Sequence, residues 1–186
     1  MPTILSHVAV PLALGLGSGV VPKRLLLAGI VASILPDMDV LAFRLNIAYS
    51  HDFSHRGVTH SVVFALLLGF LALACAHQLR SSRVIAFSFV GVSAVSHGLL
   101  DMLTNGGLGV ALLWPWSSER FFAAWQVIEV SPLSLSRVFS ARGLAVLQSE
   151  LFWIWLPAVA VTATLFVVRA LGSSAAFKRD ALKREP

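Results

Sequence analysis

Charged side chains are scarce in this sequence. Asp, Glu, Lys and Arg together make up 12% of its 186 residues, about half the usual share in a soluble domain. That scarcity excludes a chain kept in solution by an ionic surface. Hydrophobic residues reach 57% and mean hydropathy is +0.83, more apolar side chain than burial inside protein alone accounts for. The remainder must face lipid, so the chain reads as an integral membrane protein. Cysteine is nearly absent: the single Cys75 excludes an intramolecular disulfide, and its apolar surroundings make it an inert core or lipid-facing residue. No Ser- or Pro-rich linker and no internal repeat divides the chain, which leaves one compact unit. No G-x-S-x-G, H-E-x-x-H or Gly-rich nucleotide loop of the P-loop kind occurs, so those routes to hydrolysis and nucleotide binding are excluded. Ser61 and Ser96 adjoin histidines, yet neighbouring positions on a helix point in different directions, which makes a serine nucleophile a poor reading.

What is present is five apolar stretches. Ile4 to Val20 is shortened by Pro11 and loosened by three glycines; with no basic residue ahead of it, it reads as a retained first helix and not as a cleaved signal. Pro22 suits the first turn of a second helix, Lys23 to about Leu35, ending at Pro36. Gly57 to about His77 and Val84 to about Thr104 are long enough to cross, the latter stopped by Asn105, Gly106 and Gly107. Leu151 to Val168 is the cleanest span, with Pro157 as a candidate kink. Between the last two, Leu108 to Glu150 mixes Trp114, Trp116 and Trp125 with charges, as suits a headgroup boundary. The expected fold is therefore an all-α membrane protein, a bundle of about five transmembrane or re-entrant helices. Residues 1–172 form one membrane-embedded domain with an interfacial loop over 107–150, and 173–186 form a basic, frayed cytoplasmic tail.

A net charge of +5 with pI near 10.4 would suit a nucleic-acid binder, but membrane chains also collect Lys and Arg in cytoplasmic loops. Five crossings place Lys23, Arg24, Arg80, Arg83, Arg169, Lys178, Arg179, Lys183 and Arg184 on one face. Arg44, Arg56, Arg120, Arg137 and Arg142 fall on the other. The richer face is the cytoplasmic one, and no nucleic-acid partner is expected. The same threading brings His7, Asp37, Asp39, His60, His97 and Asp101 to the outer face; only His77 goes to the inner one, as a boundary residue.

Ionisable groups in a membrane segment cost a few kcal/mol even on lenient scales and usually face a cavity with a partner. Several converging groups need a shared reason, and a bound divalent metal is the simplest. His97 and Asp101 lie four apart, on one helical face. Alone, that spacing equally fits a neutral His bonded to an Asp. Asp37 and Asp39, just after Pro36, read as an extended or turn segment in which one carboxylate ligates while the other bridges or orients a ligand. A solvated helix-ending turn reads the same way. Thr59 or His60 in the first turn of helix three would favour an anion, and Arg56 beside it could clamp a phosphate or pair with headgroups. His7 is as readily a hydrogen-bonded core residue.

The combination of His7, LPDMD at 35–39, HRGVTHS at 55–61, HGLLD at 97–101 followed by Thr104, and LLWPWS at 112–117 resembles the bacterial family of inner-membrane-bound, metal-dependent hydrolases over roughly residues 1–120. That resemblance implies a multi-spanning helical protein with a hydrolytic metal site at Asp37, Asp39, His60, His97 and Asp101. A more distant similarity is to zinc-dependent phospholipase C, whose ligands follow the order His7, Asp37 or Asp39, His60, and His97 with Asp101. The later histidines and Glu of that group have no counterpart here, which favours one or two metals over three.

The resemblance implies one or two divalent ions, zinc first, with manganese or magnesium as alternatives. Asp37 or Asp39 would take a proton from water, Asp101 would bridge two ions, His55 would protonate the leaving oxygen and Arg56 would stabilise phosphate charge. Thr59 and Thr104 join Arg56 as substrate contacts. The expected substrate is a lipid phosphoester or phosphodiester reached from the outer leaflet, the expected location the bacterial inner membrane with the site facing the periplasm. An ester or amide substrate, a non-catalytic metal-binding module and a transporter are the competing readings.

Overall fold

A computed structural model describes residues 1–131 and 140–182, with side chains through residue 173. A 3-10 turn at Ser6–Val8 leads into α1 (Ala9–Ser18), and α2 (Lys23–Ile34) continues through a 3-10 run, Leu35–Val40, into α3 (Leu41–Arg44). A second 3-10 turn, Val58–His60, precedes α4 (Val62–Ala74), which is followed by α5 (Arg83–Met102). After the loop come α6 (Ala141–Glu150), a π turn (Leu151–Trp155) and α7 (Leu156–Leu182). Among the described residues the only β structure is two isolated bridges, Thr104 to Ile128 and Val110 to Phe121. The all-α membrane fold expected from composition is what forms.

Three helices are long and apolar enough to cross a membrane, Lys23–Arg44, Arg83–Met102 and Ala141–Ser173, while Ser6–Ser18 and Val62–Ala74 are shorter apolar helices. Four boundaries differ from the sequence reading, each for a local reason. The second helix does not stop at Pro36: the chain tightens to a 3-10 run with proline near its start, where the missing N–H costs nothing. Asp37 and Asp39 are thus helical and not extended. Helix three begins at Val62, because the Ser61 hydroxyl accepts from the Phe64 N–H and caps it there. The last helix begins at Ala141, capped by Ser140, so the interfacial loop ends ten residues earlier than Glu150 suggested. At its middle the Leu156 N–H bonds back to the Leu151 carbonyl; Pro157 offers no N–H to continue the regular ladder, and a π turn takes up the mismatch. The expected frayed tail is helical to Leu182. Arg137, Lys183 and Arg184 lie outside the described residues.

Small residues let the helices approach closely. Leu25, Ala32, Ala65, Ala72, Ala86, Phe89, Val90 and Ala94 form the core between α2, α4 and α5. Gly29 leaves room for the Phe89 ring, since a β-carbon there would collide with it. Trp116 and Trp125 are exposed in the loop, as expected of a headgroup boundary, while Val110, Ala111 and Ile128 are fully buried and seat that loop over the helix ends.

Glu150 fixes the N-terminal turn. It is 1% exposed and accepts hydrogen bonds from the Thr3 N–H, from Thr3 Oγ1 at 2.7 Å and from Ser6 Oγ at 2.8 Å. Glu150→Ala leaves those donors unsatisfied, so a loss of about 3 kcal/mol or more is expected. In detergent it should read as a clearly lower melting temperature, with Glu150→Gln retaining most of the stability. Equal melting of all three would show that this carboxylate does not hold the turn.

Candidate metal centre

Four separate elements deliver ionisable groups to one end of the bundle. His7 comes from the first 3-10 turn, Asp37 from the 3-10 run after α2, His60 from the turn before α4, and His97 with Asp101 from the last turns of α5. All are buried: His7, His97 and Asp101 at 0%, His60 at 3% and Asp37 at 6% exposure. Asp37, His60, His97 and Asp101 each offer a ligand atom within 4.8 Å of the other three. His7 lies at the margin, its Nε2 at 3.7 Å from Asp37 and 3.6 Å from Asp101, its ring stacked on His97 at 3.7 Å.

Hydrogen bonds at the back of each ring decide what the front presents. His97 Nδ1 lies 2.7 Å from the Ser33 carbonyl, which can only accept, so Nδ1 carries the proton and the neutral ring presents a lone pair at Nε2. His60 Nδ1 lies 3.1 Å from Asp39 Oδ2, which fixes its ring the same way. The two Nε2 atoms are then 3.0 Å apart, flanked at 3.4 Å by Asp101 Oδ2 and at 3.4 Å by Asp37 Oδ1. Facing lone pairs at that distance require either an additional proton or a cation. Both oxygens of Asp37, both of Asp101 and both ring nitrogens of His7 are buried without a hydrogen-bond partner. Such groups are costly to desolvate unless an ion or proton engages them, and an N/O donor set of this kind fits a divalent ion, zinc best among those expected.

Asp39 takes one of the parts its spacing suggested, orienting a ligand, and not the ligating part that the resemblance implied. It receives His55 Nδ1 at 2.7 Å and the Arg56 N–H at 3.2 Å. Thr59 Oγ1 reaches it at 2.6 Å and His60 Nδ1 at 3.1 Å. Its lone pairs are occupied, so it orients His60 from behind rather than ligating, and it is a poor proton acceptor. His55, Asp39 and His60 also lie close enough to offer a second ligand set, in which Asp39 is hydrogen-bonded to His55 Nδ1.

Two expected substrate contacts are anchored inside the protein. Arg56 is fully buried, with Nε 3.0 Å from Asp101 Oδ2, Nη1 donating to the Gly106 carbonyl at 2.8 Å and Nη2 to Thr104 Oγ1 at 2.8 Å. Thr104, itself buried, donates onward to the Asp101 carbonyl at 2.7 Å, which leaves its hydroxyl committed. Arg56 holds φ at 64°, a left-handed conformation that residues with a side chain seldom adopt without such anchoring. Thr59 sits before the Ser61 cap and faces Asp39, so it is not the anion-binding first turn of a helix. The Met1 amino group is 4.0 Å from Asp101, and burial lowers it to about 6, leaving it mostly uncharged at neutral pH.

Sequence reasoning did not find the Ser33 carbonyl, which any residue type could supply, or Glu150. The latter had a signal: it is an acid abutting the apolar run that begins at Leu151.

With this geometry in view, the comparisons decide the family. Residues 1–175 match the family described as YdjM inner membrane protein. The chain belongs to that family. It is also 49% identical over 169 residues to "Inner membrane protein YbcI" of Escherichia coli (strain K12), covering 89% of this chain and 98% of that relative. No solved structure matches. The YdjM-family assignment makes this an inner membrane protein, in agreement with its three long apolar helices.

Removing His97 or Asp101 by alanine substitution should abolish metal binding, and Asp39→Asn should weaken it by about 10- to 100-fold, the usual cost of losing a partner that orients a ligand. Metal content after dialysis against a graded chelator series is the measurement. An Asp39→Asn protein as empty as His97→Ala would return Asp39 to the ligand set.

Proposed function

We propose that this chain is a membrane-bound, metal-dependent hydrolase that cleaves a lipid phosphoester or phosphodiester at the outer face of the inner membrane. The observation that carries this reading is the set of buried lone pairs without a hydrogen bond on His7, Asp37 and Asp101 around the facing Nε2 atoms of His60 and His97. His60, His97, Asp37 and Asp101 would hold a divalent ion, with His7 at its edge. A bound ion of this kind acidifies water and polarises a phosphoryl oxygen.

The residues around it divide the remaining work. Asp37, whose oxygens carry no hydrogen bond, is the better placed carboxylate to take a proton, since Asp39 is saturated. His55 is held at Nδ1 by Asp39 and lines a cavity beside the centre, which suits it to give a proton to a leaving oxygen at Nε2. Arg56, through Asp101, supplies fixed positive charge next to the reacting group. Orientation rests on charge placement: Lys23, Arg24, Arg80, Arg83 and Arg169 lie at the end away from the cluster, with Arg24 bonded to the Gln78 carbonyl at 3.1 Å, and that end is cytoplasmic by the positive-inside rule. A second reading, a metal-binding module without catalysis, draws on the complete burial of His7, His97 and Asp101.

The test is to purify the protein, quantify its metal and assay phosphate release from lipid, with His97→Ala and Asp101→Ala alongside. Stoichiometric metal with release lost in both variants is the expected outcome. Metal without any release favours the binding module, and no metal in the native protein removes both readings. For orientation, a cysteine replacing exposed Ser50 should react with an impermeant thiol reagent applied to spheroplasts with an intact inner membrane; labelling only after lysis would invert the topology.

A further inference from the structure

A cavity of about 230 Å³ opens beside Arg56, with Phe43, Tyr49, His55, Arg56, Gly107 and Ser131 among its walls. We propose that it binds a phosphate-sized oxyanion, held by the Tyr49 hydroxyl and the outer edge of the Arg56 guanidinium over the bare face of Gly107. This deepens the hydrolase reading by naming where the headgroup sits, and it rests on that reading only for what the anion is attached to.

Gly107 marks the spot. A β-carbon built there would lie 2.7 Å from the Tyr49 hydroxyl oxygen and 2.9 Å from Arg56 Nη1, so both donors flank the same face of Gly107 and any side chain there would displace them. Its φ of +93° is one that residues with side chains rarely adopt. Arg56 has five N–H donors, of which Asp101, Gly106 and Thr104 engage three groups, one on each nitrogen. One N–H on each Nη is left, and Nη1 is the atom beside Gly107. The guanidinium is anchored and desolvated, so it presents charge without reorganising.

Tyr49 is held as firmly. Phe43 meets its ring edge-on at 5.4 Å, His55 stacks at 5.9 Å, and the Arg120 guanidinium lies 5.7 Å over the ring. Arg120 itself is tied to the His55 and His51 carbonyls at 3.0 and 3.1 Å. Among the described residues no carboxylate lines the cavity, so an anion there meets donors and no like charge from them. An oxyanion in this place lies one guanidinium away from Asp101 and in contact distance of the His55 wall, where the proposed proton donor stands.

Arg56→Ala cannot test this, because it would leave Asp101 buried without its partner and unfold the site. Tyr49→Phe removes one oxygen, and Ser131→Leu fills the cavity from another wall. In purified, detergent-solubilised protein, inorganic phosphate titrated calorimetrically should bind about tenfold more weakly to Tyr49→Phe, the usual loss for one hydrogen bond to a charged group. Ser131→Leu should lose binding altogether, and metal content should be unchanged in both. Ser131→Leu is read only if its melting temperature matches the parent; otherwise Tyr49→Phe carries the test alone. Flotation with vesicles containing phosphatidic acid is the second arm: a parallel loss there assigns the lipid headgroup as ligand, whereas an effect on inorganic phosphate alone assigns the free ion. Absence of phosphate binding in the parent, or equal binding in the parent and Tyr49→Phe, overturns the proposal. Intact metal and hydrolysis with a Tyr49-insensitive phosphate affinity would sink this site and leave the hydrolase standing. A Tyr49-dependent phosphate affinity in a protein without metal would do the reverse.

Discussion

Two imidazole nitrogens 3.0 Å apart, each with its proton held on the opposite side of its ring, are the constraint on which the rest of this structure turns. Lone pairs cannot face one another at that distance in a desolvated site unless something positive lies between or beside them. The Ser33 carbonyl and the Asp39 carboxylate are what impose the arrangement, and both come from the second helical segment. That helix therefore does more than cross the bilayer: one of its backbone groups and one of its side chains set which nitrogen carries the proton on His97 in α5 and on His60 in the turn before α4.

The 3-10 run at Leu35–Val40 explains how Asp37 and Asp39 can serve two purposes. At about three residues per turn, positions two apart point about 120° apart around the axis. Asp37 is consequently turned toward His7 and His97, while Asp39 is turned toward His55, Thr59 and His60. An ordinary α-helical continuation would put them nearly opposite, about 160° apart, and an extended strand would put them on one face. Pro36 at the start of the run and Ser61 at the start of α4 are local choices that set these directions.

Much of this was legible in the chain. Low charge and high hydropathy gave the membrane class, and the threading of helix ends brought His7, Asp37, His60, His97 and Asp101 to one side, where they do meet. What could not be read was the direction of each side chain once there. Arg56 and Thr104 look like ligand-binding residues because they flank histidines or follow HGLLD, but whether a guanidinium faces outward or is tied to a carbonyl at Gly106 depends on a loop fold that hydrophobic periodicity does not encode. The last helix was misjudged at its start for a related reason. Residues 141–150 are half polar, and their helicity comes from the Ser140 cap and from Glu150 binding the N-terminal turn, contacts 144 or more residues apart in sequence.

The position of Arg56 bears on how many ions the centre can hold. Asp37, Asp39 and Asp101 bring three negative charges into a buried volume, Arg56 returns one positive charge, and the Met1 amine, lowered to about 6, contributes little at neutral pH. With the imidazoles neutral, the remainder is two negative charges. A single divalent cation would neutralise it, whereas a second would leave an equal excess of positive charge in a site with no further carboxylate at hand. Asp101 is also placed for this: Oδ1 faces His7 and Oδ2 lies 3.0 Å from the guanidinium. On the proposed hydrolase reading, the carboxylate that would bridge two ions in a binuclear centre would instead bridge one ion site and a fixed organic cation. On that reading, of the one or two metals that the ligand pattern allows, the charge of the surrounding protein favours one.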